Sequence, residues 1–283
     1  MSEVAIVTDS ISCLPLELVE QYHIKIVPVG LVIDRKSYQD TDISNEDFWR
    51  LFYQAKEPVT TNAVNPADFE KVFNNLAQNT DSIVCTLVSQ KLSATYNMAC
   101  QAKETLKQKI PSLQIEIIDS KTAAGSEGLI VLETARAARS GKNISQVVES
   151  GQNMVPRVKY FCAMNTLKYI IRSGRAPKTA VIGDWLKVKP IIGMVNESGL
   201  VEDLGRERGM DKAISRMTEM IGEYTDVNKP LHIIVHYTDN KAIGEKLKDV
   251  LTSRYKCIEA YLTPFTPVMA SQTGPVVGIA FYS

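Results

Sequence analysis

The feature that most restricts this chain is a unit repeated through its first half: a short apolar run, then a hydroxyl-rich loop, then a helix-forming stretch. Val4 to Val7 runs into Thr8-Asp9-Ser10-Ile11-Ser12 and the helical Pro15-Leu16-Glu17-Leu18-Val19-Glu20. Ile83-Val84-Cys85-Thr86-Leu87-Val88 runs into Ser89-Gln90-Lys91-Leu92-Ser93 and a helix over 94–110. Residues 114–118 run into Asp119-Ser120-Lys121-Thr122 and a helix over 128–140 that stops at Gly141. An unbroken apolar run suits a strand buried on both faces, and strands alternating with helices specify a parallel sheet covered on each side. Ligands bind such sheets beyond the carboxyl ends of the strands, where all three hydroxyl loops lie.

Between the first two units, 24–29 reads as a strand and 30–42 as a hairpin or irregular excursion ending at the helix cap Ser44, with Phe48, Leu51 and Phe52 on one helix face. Asn65-Pro66 has the form of a cap followed by proline at the first helical position. After about residue 155 the rhythm changes. A strand over 159–164 precedes a basic helix over 166–173, and strands around Ile191 and Leu200 flank the turn Asn196-Glu197-Ser198-Gly199. Helices over 210–224 and 241–253 flank a strand over 231–235, and a strand near Tyr261 and the apolar 276–281 follow. The expectation is an α/β chain of two domains. Residues 1–155 form an N-terminal α/β/α domain with a parallel sheet, and residues 156–283 a C-terminal α/β domain with a mixed sheet.

Charge and composition remove several function classes. Lys plus Arg (32) equal Asp plus Glu (32), so the chain lacks the bulk positive charge of a nucleic-acid or anionic-membrane binder. The start, Ser2-Glu3-Val4-Ala5, has no basic stretch, and no apolar run approaches the roughly 20 residues needed to span a bilayer. Five scattered cysteines inside mostly apolar runs read as reduced core residues, and the expected compartment is the cytoplasm. A dinucleotide fingerprint, a P-loop, a nucleophile elbow and a zinc-binding His-Glu-x-x-His are missing. His232 and His236 sit on a strand, four residues apart on one face and too far apart to share an ion. No cofactor and no metal are expected.

What remains is the set of hydroxyl loops, Thr60-Thr61-Asn62 among them. Ser93 is the sharpest case, because it follows a buried strand and opens a helix, where its hydroxyl and the free N–H groups of the first turn suit a carboxylate. A hydrolase or transferase using Ser93 or Ser10 as nucleophile is the alternative, though neither has a base beside it in sequence. Lys168, Arg172, Arg175, Lys178, Lys187 and Lys189 form a basic segment. It reads as a solvated face or as a phosphate or acidic-partner site; with only Tyr169 and Trp185 interleaved, nucleic acid is the weakest reading.

Several motifs, in order along nearly the whole chain, resemble the DegV family: Ile6-Val7-Thr8-Asp9-Ser10, Thr61 with Val64-Asn65-Pro66, Leu92-Ser93-Ala94-Thr95-Tyr96, Asp119-Ser120-Lys121-Thr122, Leu167-Lys168-Tyr169-Ile170 with Gly174-Arg175, Leu186-Lys187-Val188-Lys189-Pro190, and Gly274-Pro275. The resemblance implies a bacterial, non-catalytic carrier that binds one long-chain fatty acid such as palmitate, stearate or oleate. It further implies an acyl chain housed in the second domain and presentation of the acid to a separate fatty acid kinase subunit, in the service of phospholipid metabolism. It places the carboxylate on Thr61 and Ser93, and on Gln272, which stands where the family has histidine. Arg175 and Arg208, the latter in an Arg-x-x-x-Lys pattern like one in the family, are the expected phosphate or partner contacts. Nucleic acid and stable membrane insertion are not expected.

Overall fold

The computed structural model describes residues 3–62, 64–179 and 188–283. The chain begins with β1 (Ala5–Asp9), the 3-10 turn Ser10–Ser12, α1 (Leu16–Gln21) and β2 (Lys25–Val27). β3 (Gly30–Ile33), β4 (Lys36–Gln39), α2 (Asn45–Gln54), β5 (Thr60–Asn62) and α3 (Pro66–Leu76) follow. β6 (Ser82–Leu87), α4 (Thr95–Lys109), β7 (Gln114–Asp119), α5 (Gly125–Arg139) and α6 (Ile144–Met154) complete the first half. The second half runs β8 (Lys159–Met164), α7 (Lys168–Arg172), β9 (Val188–Met194), β10 (Glu202–Arg208), α8 (Met210–Tyr224) and β11 (Leu231–Tyr237). It ends with α9 (Lys241–Arg254), β12 (Cys257–Pro264), α10 (Pro267–Thr273) and β13 (Val276–Tyr282).

The apolar runs pair as their composition requires. β1, β2, β6 and β7 form a parallel sheet of order β2-β1-β6-β7, the core of a parallel-sheet domain. In the other domain, strands pack as β10-β9-β8-β13-β11-β12, antiparallel throughout except for β11 and β12, so the sheet is mixed. The 30–42 excursion is a β3–β4 hairpin, and Ser44 caps α2 by accepting from the Asp47 N–H. Asn65 caps α3 in a reciprocal box with Asp68, and Pro66 takes the first turn.

Three local readings change. Thr60-Thr61-Asn62, read as a loop, is strand β5, which pairs with β3 and converts the hairpin into a three-stranded sheet. The pairing partner lies almost thirty residues away, beyond any local signal. The helix expected from Gly128 begins at Gly125, and α6 and α10 are helices that the local pattern alone does not mark out. The Thr266-Pro267 pair is nonetheless a helix-start signal, a cap residue followed by proline.

Helix α5 joins the two large sheets. Nearly all of its residues are buried, because it packs on β1 and β6 with one face and on β11 and β13 with the other. The fit depends on Gly125, where a Cβ would stand 2.3 Å from His236 Nε2 and 2.9 Å from Ala280 Cβ. The far face of the mixed sheet is covered by α8 and α9 through Ile214, Met217, Ile221, Leu247 and Leu251. Among the described residues, no helix is long and apolar enough to cross a membrane.

Candidate functional site

A cavity of about 370 Å³ opens where the carboxyl ends of the parallel strands meet the mixed sheet. That volume is within the range of small-molecule pockets. Its walls come from both halves: Ile11, Val88 and Leu92 from loops after β1 and β6, Ile192, Met194 and Val201 from β9 and its hairpin, Val268 and Met269 from α10. The apolar space therefore lies between the two sheets rather than inside the second one alone. The reason is topological: loops at the ends of parallel strands form a concave rim that the neighbouring sheet closes.

The structure brings Thr61, Ser93, Arg175 and Gln272 to this one cavity, from β5, the loop before α4, the turn after α7, and α10. Ser93 precedes the helix by one residue more than expected, with Ala94 as the cap. Its hydroxyl accepts from the Thr95 N–H (3.3 Å) and lies 2.8 Å from Thr95 Oγ1. Thr61 is half-buried on β5, which packs against α10. Arg175 donates from Nε to Leu92 O (2.9 Å) and from Nη1 to Ser173 O (3.1 Å) and Gln272 Oε1 (2.9 Å). These bonds set the guanidinium beside the Ser93 loop and orient the Gln272 amide, whose Nε2 donates to Ser271 Oγ.

Arg175 is the one charged side chain among the described residues of the wall, and burial pulls its pKa below the usual arginine value. Among the described residues no carboxylate pairs with it, and no hydrogen bond uses its Nη2 donors. A half-buried cation with spare donors in an apolar cavity attracts an anion. The remaining polar lining is neutral. Cys162 on β8 is a buried thiol whose pKa is pushed up to about 12 by burial.

Behind this wall lie three buried carboxyls that sequence reasoning did not group. Asp9 accepts from the Ile11 N–H (2.8 Å) and the Val88 N–H (3.2 Å), joining the ends of β1 and β6. Burial raises its pKa to about 7 against the lowering effect of those bonds. Glu127 accepts from the Thr8 hydroxyl; burial first, then the charge of Asp9, push its pKa well up. Asp40 accepts from the Val268 N–H (2.8 Å), and burial raises its pKa to about 6. Asp40-Thr41-Asp42 reads locally as a turn, so nothing in the sequence marks Asp40 as interior.

Ser10 lies outside the cavity wall; its hydroxyl is buried and accepts from the Val29 N–H. Arg208, exposed at the end of β10, is also apart from the cavity. Of the basic segment, Trp185, Leu186 and Lys187 lie outside the described residues, as does Ala63. Lys189 donates to Asn165. The two strand histidines behave differently. His236 is buried, and burial drives its pKa down to about 3. His232 joins Glu133 and Glu259 in a group whose ligand atoms lie within 4.8 Å of one another. Arg136 bridges both carboxylates of that group, and although burial opposes it, His232 and Arg136 hold the Glu259 pKa down to about 2. The positive charge a metal would supply is already present there.

Fold and site together define an α/β protein with a largely apolar cavity between its two domains, whose described wall holds hydroxyls, an amide and one cation without a carboxylate partner. The family model described as an uncharacterised protein of the DegV family matches residues 3–283, and the chain belongs to the DegV family. A DegV domain-containing protein of Caldanaerobacter subterraneus subsp. tengcongensis is 36% identical over 216 residues, covering 76% of this chain and 75% of that one. Among solved structures, a DegV-family protein of Thermus thermophilus described as fatty-acid binding superposes with a TM-score of 0.90 at 24% identity, over 99% of both chains. A protein of Eubacterium ventriosum described as stearic-acid-binding superposes with a TM-score of 0.89 at 24% identity, over 99% of this chain and 98% of that one.

Proposed function

We propose that the protein binds one long-chain fatty acid, its acyl chain in the cavity between the sheets and its carboxylate held by Thr61, Ser93, Gln272 and Arg175. The observation that carries this reading is Arg175: a cation in an otherwise neutral and largely apolar cavity, with unused donors and no carboxylate partner among the described residues. The apolar part supplies the affinity. At about 0.8 kcal/mol per buried CH₂, a 16-carbon chain has ample driving force, and the polar end needs only to orient the head group. The names of the similar structures, which include fatty-acid- and stearic-acid-binding proteins, point the same way.

A carrier role is favoured over hydrolysis or transfer at Ser93 or Ser10. For Ser93 the described lining includes no histidine or carboxylate to act as base, and Ser10, buried and accepting from the Val29 N–H, lies outside the cavity wall. In this reading the carrier works in the cytoplasm and presents its ligand to a fatty acid kinase subunit, with Arg208 on the contacted face. The domain division falls near residue 155, between α6 and β8.

Lipid extraction of the freshly purified protein followed by mass spectrometry tests the binding reading. One equivalent of a long-chain fatty acid is expected. Well under one equivalent, together with no uptake of added palmitate or oleate, overturns it.

A further inference from the structure

We propose that Asp40 is a positioning residue: its carboxylate ties the three-stranded sheet that carries Thr61 to the helix that carries Gln272, fixing the spacing of the polar end of the cavity. The inference rests on the fatty-acid reading above and adds a residue that touches no ligand.

Asp40 directly follows β4, and its own N–H donates to Val29 O at 3.0 Å, so its backbone belongs to the rim of the small sheet. Within that sheet Tyr38 faces Leu31, and Leu31 faces Thr61, so the ladder connects Asp40 rigidly to Thr61. On its other side Asp40 Oδ1 accepts from the Val268 N–H at 2.8 Å, a buried bond between residues 228 apart in sequence. Val268 and Gln272 are four residues apart on α10 and thus share a face. One carboxylate therefore sits between the two elements that supply Thr61 and Gln272.

This bond is the helix's cap in all but position. The first turn of any helix leaves N–H groups without intrahelical acceptors, and the cap residue Thr266 makes no side-chain bond to them. Asp40, only 4% exposed, provides the acceptor from a distant part of the chain. A short helix of seven residues has little stability of its own, so its placement depends on such ties. Gln272 in turn receives Arg175, so a shift of α10 moves the amide and the guanidinium together.

The test compares a fatty acid with the fatty alcohol of equal chain length, by calorimetric titration below the micelle concentration. The alcohol fills the apolar space but lacks the anionic head. For Asp40→Leu, which keeps the bulk and removes the acceptor, the acid-over-alcohol preference should fall at least tenfold with alcohol affinity within about threefold of wild type. Asp40→Asn, whose amide oxygen still accepts from the Val268 N–H, should restore the preference to within about threefold. Should Asp40→Leu not fold, Asp40→Ala takes its place, and Asp40→Asn remains informative alone: loss of the preference in a folded Asn variant overturns the inference. Equal loss for acid and alcohol, the mark of a merely structural role, or an unchanged ratio in the Leu or Ala variant, also overturns it. A wild-type protein that binds neither compound refutes the fatty-acid reading itself, a separate outcome.

Discussion

Replacing Arg175 with glutamine addresses the feature on which the functional reading depends. The guanidinium has five N–H groups; three are spent on Leu92 O, Ser173 O and Gln272 Oε1, which leaves the two on Nη2 for a ligand carboxylate. A hydrogen bond to a charged group contributes about 1.5–3 kcal/mol, so the variant should bind a fatty acid about 10- to 100-fold more weakly. The acyl chain, at about 0.8 kcal/mol per CH₂, is untouched, and binding should be weakened rather than abolished. In the free protein the relief of a half-buried unpaired charge is offset by the loss of the bonds to Leu92 O, Ser173 O and Gln272 Oε1. Thermal stability without ligand should therefore change little, while the rise in melting temperature on adding fatty acid should shrink. Competition titration against a fluorescent fatty acid, paired with thermal unfolding, measures both. A variant that binds the acid within twofold of wild type would show that the carboxylate lies elsewhere; equal weakening of an uncharged analogue would show that Arg175 shapes the cavity rather than holding charge.

Ser93→Ala and Thr61→Val should each weaken fatty-acid binding by about 1.5–3 kcal/mol while preserving the fold, as circular dichroism and titration would show; affinities within twofold of wild type would remove those hydroxyls from the clamp. The Asp9 pKa is raised to about 7 in the folded protein, so its contribution to stability is fully present below the unfolded value near 3.8 and is lost as pH rises through about 7. Urea unfolding of wild type and Asp9→Asn at pH 5, 6, 7 and 8 should show the difference shifting in favour of the variant as pH rises; parallel curves would refute a titrating Asp9. His236 carries the opposite sign, with stability present above about pH 6.5 and lost as pH falls toward 3, so the single-residue comparison is needed to isolate Asp9. Arg208→Ala should leave fatty-acid affinity unchanged and slow acyl-phosphate formation in a coupled assay with a fatty acid kinase subunit; an unchanged rate would return Arg208 to an ordinary solvated position.

The sequence by itself determined most strands of both large sheets, because apolar runs such as 83–88 and 276–281 contain enough β-branched residues to be legible without neighbours, whereas the polar β10, expected around Leu200, lies at Glu202–Arg208. It also pointed to the rim on which the proposed site lies, since hydroxyl loops after parallel strands stand at the ends where such sheets open. Thr61 and Ser93 stand in motifs that resemble the DegV family, Gln272 stands where that family has histidine, and the cavity brings all three together. Tertiary structure decided the rest. Thr60–Asn62 became a strand only because β3 offers it a distant partner. Arg175, expected from the sequence as a phosphate or partner contact, is the charged residue of the described cavity wall because the turn after α7 aims it at Leu92 O and Gln272. Asp9, Asp40 and Glu127 have the composition of ordinary polar positions, and burial changes their chemistry through desolvation that no local window encodes. The period of a strand or helix is written in successive residues; the enclosure of a charge depends on elements that meet only after the chain has folded.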